Sequence, residues 1–457
     1  MSRILDKAVV SGLDPSFADG GVLTLPFPGV EGKFPSLVQA LPEAKLLLVY
    51  TEPSNGLCKI ARLDPSGKID NTFGKNGVVD IPFVKGMSFS PGSIHLLESD
   101  GWIIAGRAVP DSIFDPDTLA VVRMNAEGAL DSAFGVDGIV ILKIEELGDS
   151  KKWAKARLVS ESVSEKVDAK LPATLNLNVF SAVEPFGSGS KERILLSSSL
   201  TFGFDDIQGI VLRLDETGVL DKSFNEAGYL LVDIPGVNYL FNYARGVVVQ
   251  SDRKIVVCGY FDRGLDVPSE AFVIRYNEDG TVDSQYGPTK NGAVTISDPD
   301  ERGSLFLSRL YLKKDGGVLA VGGGSVQLAS KSLMINLNET GSYNLVFNNG
   351  EPLIEQLVIG HVWGSCAVQS DGKIVATGGT GGLSNRESRG QLVARYLPNG
   401  KLDGDFGDGQ GHIEFNYPEG EDLLRSTTYM EDNRVVTGTL VISDAGDISG
   451  FVLRFLG

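Results

Sequence analysis

The sequence predicts an all-β ring, a seven-bladed β-propeller of four-stranded antiparallel blades closed by N- and C-terminal strands that share one blade. Three observations predict it. The phrase written "ARYLPNGKLDGDFG" at 394–407 returns seven times, at Asp14, Asp70, Asp131, Asp221, Asp283, Asn344 and Asp403, in steps of 56, 61, 90, 62, 61 and 59 residues. Each period holds short β-rich runs cut by turn signals such as Ser370-Asp371-Gly372 and Pro398-Asn399-Gly400. The runs ("GVVVQ", "KIVVCG", "FVIRY") are continuously apolar and not alternating, so both sheet faces need cover. Four-stranded sheets packed face to face around an axis, one per period, satisfy all three.

Within the unit that starts at Gly364, strands are expected near 364–369, 373–378, 391–396 and 401–406. The chain then begins inside a fourth strand, at Leu13-Asp14, and ends on a third strand, "FVLRFLG", from Phe451 to Gly457. One composite blade made from the two ends removes two free sheet edges. Residues 1–457 form a single propeller domain in this reading, with an insertion at 145–176.

The repeated motif "RYxxxGxLDxxFGxxG" resembles the Delta-60 repeat, a bacterial propeller family of unassigned function, across essentially the whole chain. The resemblance implies a propeller fold and no established activity. The layout is also similar to the NHL-type propeller repeat, and that analogy supplies the strand order used above.

Three residues after each repeat position stands an aromatic: Phe17, Phe73, Phe134, Phe224, Tyr286, Phe347 and Phe406. These are expected as buried wedges between blades. Eight residues before the repeat aspartates stand arginines, giving the pairs Arg62 and Asp70, Arg123 and Asp131, Arg213 and Asp221, Arg275 and Asp283, and Arg395 and Asp403. The spacing straddles a hairpin turn, so each pair is expected to meet across adjacent strands as a structural clasp. In one unit both members change together, to Asn336 and Asn344, which suggests an amide pair there. Asp14 lacks an upstream arginine and Arg454 lacks a downstream aspartate. Ring closure therefore predicts that these two pair with each other.

The long step from Asp131 to Asp221 holds "EELGDSKKWAKARLVSESVSEKVDAKLPATLN" (145–176). Here Ser150 is expected to cap a short helix over 150–158. The segment gathers Lys151, Lys152, Lys155 and Arg157 around Trp153, and Lys152, Trp153 and Arg157 are candidate contacts for an anionic partner. The alternative is a flap whose cations neutralise the protein's own acidic loops.

Those loops include 112–119, 202–209, 261–270, 297–303, 417–423 and 443–450, expected together on one acidic face of the ring. Asp115 with Asp117, or Asp298 with Asp300, could hold calcium, but neither matches the ligand spacing of a known calcium loop. No cofactor is expected. Of the three histidines, His95 falls in a column occupied elsewhere by Val38, Val247, Leu310, Cys366 and Thr427, and reads as a core histidine. His361, beside Trp363 in "IGHVWGSC", precedes an innermost strand and is expected to reach the channel mouth, so His361 and Trp363 are further candidate binding residues. Catalytic and metal-ligating residues are assigned to none. The glycines Gly106, Gly259, Gly322, Gly378 and Gly438 recur on second strands and read as packing positions.

The net charge of -18 and the pI near 4.7 argue against nucleic acid and anionic membrane as partners. Cys58, Cys258 and Cys366 are too few and too scattered for a disulfide framework or a zinc site. The N-terminus lacks the apolar stretch of a signal peptide, which points to the cytoplasm or to export without a cleaved leader. A monomer is the default. The function expected is a binding scaffold that takes protein or carbohydrate on its loop-bearing face; the alternative is a propeller hydrolase or lyase working at the channel mouth with His361 and loop carboxylates.

Overall fold

The computed structural model describes residues 12–52, 57–112, 115–148, 150–159, 180–185, 192–203, 206–264, 267–299, 303–326, 329–381, 390–417, 420–443 and 446–457. Seven antiparallel sheets surround an axis. Blade 6 shows the plan: Val362–Val368 lines the axis, Ile374–Gly379 and Gln391–Tyr396 follow outward, and His412–Phe415 forms the rim. Blades 1 to 5 span 34–80, 87–142, 180–231, 241–296 and 303–355 on the same plan, with a short fifth strand, Arg157–Leu158, added to blade 3. Blade 7 takes Gly420–Tyr429, Val435–Ser443 and Ile448–Phe455 from the end of the chain and Val22–Leu25 from its start. Val22 lies opposite Leu453 and Leu25 opposite Gly450, so the ring is closed by main-chain pairing between the two ends.

The rim strand differs from its sequence expectation. Lys401 to Phe406 do not form it; Leu402 makes one bridge to Tyr396 and the chain then turns. The cause is the aspartate. Asp403 Oδ1 accepts the Asp405 amide at 3.1 Å and its carbonyl accepts the Phe406 amide at 3.0 Å, so "LDxDF" is a capped turn that drives Phe406 inward. The rim strand starts six residues later, at His412. The N-terminal counterpart shifts in the same way, with Leu13 bridging Phe455 and the strand proper at Val22–Leu25.

The turns deliver the aromatics to the places where blades meet. Seven apolar clusters each join two neighbouring blades, and each contains one of Phe17, Phe73, Phe134, Phe224, Tyr286, Phe347 and Phe406. None of the seven is more than 5% exposed. Six rings lie on a turn glycine of the next blade: Phe17 on Gly67, Phe73 on Gly128, Phe134 on Gly218, Phe224 on Gly280, Tyr286 on Gly341 and Phe347 on Gly400. All six glycines have φ between +82° and +88°, and a Cβ on any of them would press on its surroundings, so the turn favours glycine for two independent reasons.

The arginine of each blade meets its aspartate. Nε to Oδ2 distances are 2.9 Å for Arg62 to Asp70, 3.1 Å for Arg123 to Asp131, 3.0 Å for Arg213 to Asp221, 2.9 Å for Arg275 to Asp283, 2.7 Å for Arg395 to Asp403 and 2.8 Å for Arg454 to Asp14. Each guanidinium also lies over the wedge ring of its own blade, from 4.5 Å for Arg275 on Tyr286 and Arg454 on Phe17 to 5.9 Å for Arg123 on Phe134. Several reach further, to a turn carbonyl of the next blade: Arg123 to Glu216 (3.2 Å), Arg213 to Glu278 (2.5 Å), Arg275 to Glu339 (2.5 Å) and Arg454 to Pro65 (2.7 Å). The clasp thus ties a third strand to the turn that follows it and, in these four cases, to the next blade. Blade 5 departs from the expected amide pair. Asn344 Nδ2 turns to Asn338 Oδ1 at 3.3 Å, while Asn336 Oδ1 is buried without a hydrogen-bond donor among the described residues. The asparagine side chains are too short to span what arginine spans, and only the main-chain bond from Asn344 to Asn336 (2.9 Å) survives.

The segment expected as a helix over 150–158 is instead one 3-10 turn, Trp153–Lys155, followed by a two-residue strand, Arg157–Leu158, paired with Leu200 and Thr201. Ser150 contributes its main-chain carbonyl to the Trp153 amide and no side-chain cap. So short a segment cannot sustain a helix alone, and sheet pairing from Arg157 onward takes it over. The remainder of the insertion, 160–176, lies outside the described residues.

Candidate functional site: a cationic cavity on the ring axis

The innermost strand of a blade is paired on one side only, and six of the seven are bulged. The register slips between Pro35 and Leu37, Pro91 and Ser93, Ala244 and Val247, Leu307 and Arg309, Trp363 and Ser365, and Leu424 and Ser426. The second-strand glycines explain why the bulge fits. A Cβ on Gly106, Gly259, Gly322 or Gly378 would run into the carbonyl of Ser90, Tyr243, Phe306 or Val362 on the strand in front. Gly438 differs, since a Cβ there would make ordinary contacts with Val38 and Pro35.

The bulges turn polar residues to the axis, where all seven blades line a cavity of about 540 Å³. That is the size of a small-molecule site. Its lining includes Arg245 from blade 4, Arg309 from blade 5 and Arg425 from blade 7, together with His95 of blade 2 and six hydroxyl side chains, and among the described residues it includes no aspartate or glutamate. The protein is acidic overall, yet its axis is basic.

Arg309 lies with its guanidinium over the Phe180 ring of blade 3 at 4.2 Å. Among the described residues no carboxylate lies within ion-pair distance of it. Burial pushes this guanidinium down to about 10, and the like charge of Arg245 presses the same way. Burial also pushes Arg425, 6% exposed, down to about 10. Both remain cations at neutral pH. His95, held near 4 by burial and by the Arg309 charge against a hydrogen bond with the Ser181 main chain, is neutral there. The Ser93 and Ser181 hydroxyls meet at 2.7 Å beside it. Desolvated cations on a cavity whose described lining residues carry no carboxylate favour an anion as occupant.

The residues singled out in the sequence fall elsewhere. His361 is fully buried, bonded through Nδ1 to the Val358 carbonyl at 3.3 Å and set edge-on against Trp363 at 4.9 Å. Neither residue lines the axial cavity, although the adjoining Gly364 and Ser365 do. The bulge sends the main chain to the axis and the bulky Trp363 ring backward into the core between blades 5 and 6, which corrects the expected place of His361 at the channel mouth. Trp153 is 8% exposed, with Phe202 and Tyr229 edge-on at 5.2 and 5.1 Å. Lys152 lies over the Phe202 ring at 4.2 Å and pairs with Asp206 at 2.9 Å, and Arg157 bonds the Ala156 carbonyl at 2.7 Å. These three are packed on blade 3 and are not brought together with His361.

The acidic loops lie at the end of the ring opposite the clasps, because second-to-third and blade-to-blade connections share that end of an antiparallel blade. Part of their charge is met internally, as in Asp117 to Arg107 (3.6 Å) and Glu270 to Arg263 (2.9 Å). Among the described residues no three His, Cys, Asp or Glu side chains cluster as a metal site; Asp300 lies outside them.

Sequence reasoning missed Arg245, Arg309 and Arg425, and did not foresee that the buried His95 also lines the axial cavity. The signal was present: "YARGVVV", "FLSRLYL" and "DLLRSTT" each interrupt an innermost apolar run with one arginine.

Fold and site define a seven-bladed propeller with a basic axial cavity. Two stretches, residues 250–286 and 369–406, match a family model described as a domain of unknown function (DUF5122) beta-propeller. No curated protein matches the chain in sequence. Among solved structures, the polysaccharide lyase Uly1 is similar at a TM-score of 0.47 and 9% identity, over 99% of this chain and 94% of that one. A protein of unknown function from Dyadobacter fermentans DSM 18053 is similar at 0.43 and 13% identity, over 82% and 96%. A PQQ-bound aldose sugar dehydrogenase from Streptomyces coelicolor is similar at 0.35 and 13% identity, over 81% and 97%.

Proposed function

We propose that the protein is a binding propeller whose ligand is a small oxyanion-bearing, hydroxyl-rich molecule held on the ring axis, and that it is a member of the Delta-60 repeat family. The observation that carries the ligand class is the lining: Arg245, Arg309 and Arg425 with six hydroxyl side chains and, among the described residues, no carboxylate. Guanidinium forks match carboxylate and phosphate oxygens, and serine and threonine hydroxyls match a polyol. Carbohydrate remains the ligand class, moved from the loop face to the axis and given a negative charge. Binding is favoured over catalysis because the described lining residues offer one neutral imidazole and no carboxylate to act with it as an acid and base pair.

Calorimetric titration with glucuronate and with inorganic phosphate tests this reading. One site per chain is expected, weakened roughly ten- to hundredfold by Arg309→Gln, as for loss of a charged hydrogen-bond donor. Binding that is absent, or indifferent to Arg309, contradicts it.

A further inference from the structure

Two consecutive residues of one innermost strand organise one side of the axial cavity. The ring of Phe180 on blade 3 carries the Arg309 guanidinium at 4.2 Å, and the main chain of Ser181, next along, bonds the His95 imidazole of blade 2. This strand pairs only with the one behind it, so its axial main-chain groups need side-chain partners, and His95 is one. Arginine and imidazole are thereby set near each other on the cavity wall, close enough for the Arg309 charge to act on His95.

The two side chains offer opposite chemistry. Arg309 is a donor only, and among the described residues no hydrogen bond or ion pair takes its N–H groups, so the edge of the fork is open to an oxyanion. The main-chain bond to His95 favours the protonated ring, so it runs from a ring N–H to the Ser181 carbonyl. The neutral imidazole then keeps a lone pair on its other nitrogen, to which no described residue donates. The Ser93 and Ser181 hydroxyls beside it are engaged with each other at 2.7 Å. The donor for that lone pair must come from the occupant of the cavity. Arg309 and Arg245 repel an ammonium there, which leaves a hydroxyl.

We infer that His95 sets the specificity of the axial site by accepting a hydrogen bond from a hydroxyl close to the oxyanion that Arg309 holds, so that the ligand is a sugar acid hydroxylated on the first or second carbon from its anionic group. The inference rests on the axial binding reading above and adds the residue that reads the hydroxyl.

Calorimetric titration of the full chain with gluconate, 2-deoxygluconate and 3-deoxygluconate tests it. One of the two deoxy acids should bind about tenfold more weakly than gluconate, as for loss of one hydrogen bond. His95→Val should lower gluconate to the affinity of that deoxy acid and erase the difference between them. By strand register the place of His95 is filled by Val248 in blade 4 and Ala367 in blade 6, one residue along from the column read in the sequence, so the fold accepts an apolar residue there. Equal affinity for all three acids overturns the role of His95 and leaves the axial site standing, and so does glucuronate binding without gluconate. A valine variant that keeps the preference for gluconate, or that loses every probe, also overturns it. If neither gluconate nor glucuronate binds the wild-type protein, both readings fall.

Discussion

Arg454 Nε lies 2.8 Å from Asp14 Oδ2, joining residues 440 apart in sequence inside one blade. The same guanidinium donates to Ser16 Oγ at 3.0 Å and to the Pro65 carbonyl of blade 1 at 2.7 Å, and covers the Phe17 ring at 4.5 Å. Arg434 adds a second cation 3.2 Å from Asp14. Truncating Asp14 leaves the buried Arg454 without its carboxylate and should cost up to ~3–5 kcal/mol, while truncating Arg454 leaves Asp14 with Arg434 and should cost less. The double substitution Asp14→Asn with Arg454→Gln should cost less than the sum of the singles in urea denaturation, and additive losses would show that the pair is uncoupled.

The clasp aspartates make stability depend on pH in the acid range. Asp70 is depressed to about 2, by the Thr72 hydroxyl first, with Arg62 and Lys45 adding to it against burial. In Asp14, Asp221, Asp283 and Asp403 burial works upward and is outweighed by hydrogen bonds and neighbouring cations, so all four are lowered as well. A folded-state value below the unfolded 3.8 means that the stabilisation is complete above 3.8 and lost as pH falls through the folded value. The melting temperature should hold from neutrality down to about pH 5 and fall steeply toward about pH 2. A flat profile across that window would remove the clasps from the account.

Each wedge should be expensive to cut. Phe224 is fully buried between blades 3 and 4, so Phe224→Ala should cost ~3–5 kcal/mol. Gly280→Ala should also destabilise, because φ is +88° and the new methyl would press on the Phe224 ring. Denaturant midpoints for both variants check this; an unchanged Gly280→Ala would mean that the turn is not held as described.

Blade 5 can be given the clasp it lacks. Asn336→Arg alone buries a charge without its carboxylate and should destabilise. Asn336→Arg with Asn344→Asp should be more stable than either single variant, by about 1 kcal/mol or more of coupling. Independent effects in a thermal melt would count against the clasp as a unit.

The ring was legible in the sequence because its parts repeat at fixed spacing. The wedge aromatics and the arginine and aspartate pairs could be placed from one blade to the next, including the pair made by the two chain ends. The rim strand was misread because Leu402 and Phe406 look like strand residues, whereas the Asp403 side chain closes a turn between them. The helix at 150–158 was misread because the cap signal at Ser150 outweighed the pull of the sheet edge at Leu200 and Thr201. The site was largely illegible for a geometric reason. Arg245, Arg309 and Arg425 converge only through the curvature of the ring, from blades 64 and 116 residues apart. No local spacing records that convergence, and the bulge that aims each side chain at the axis depends on a glycine on a different strand.

The most direct test of the axial anion site is a crystal structure of the protein soaked in selenate, whose selenium marks an oxyanion by anomalous scattering. A peak on the ring axis, bonded to Arg309 and Arg245 and lost in Arg309→Gln, is the predicted result. A well-ordered axis with no selenium, and selenate bound only to lysines on the outer surface, would contradict the account.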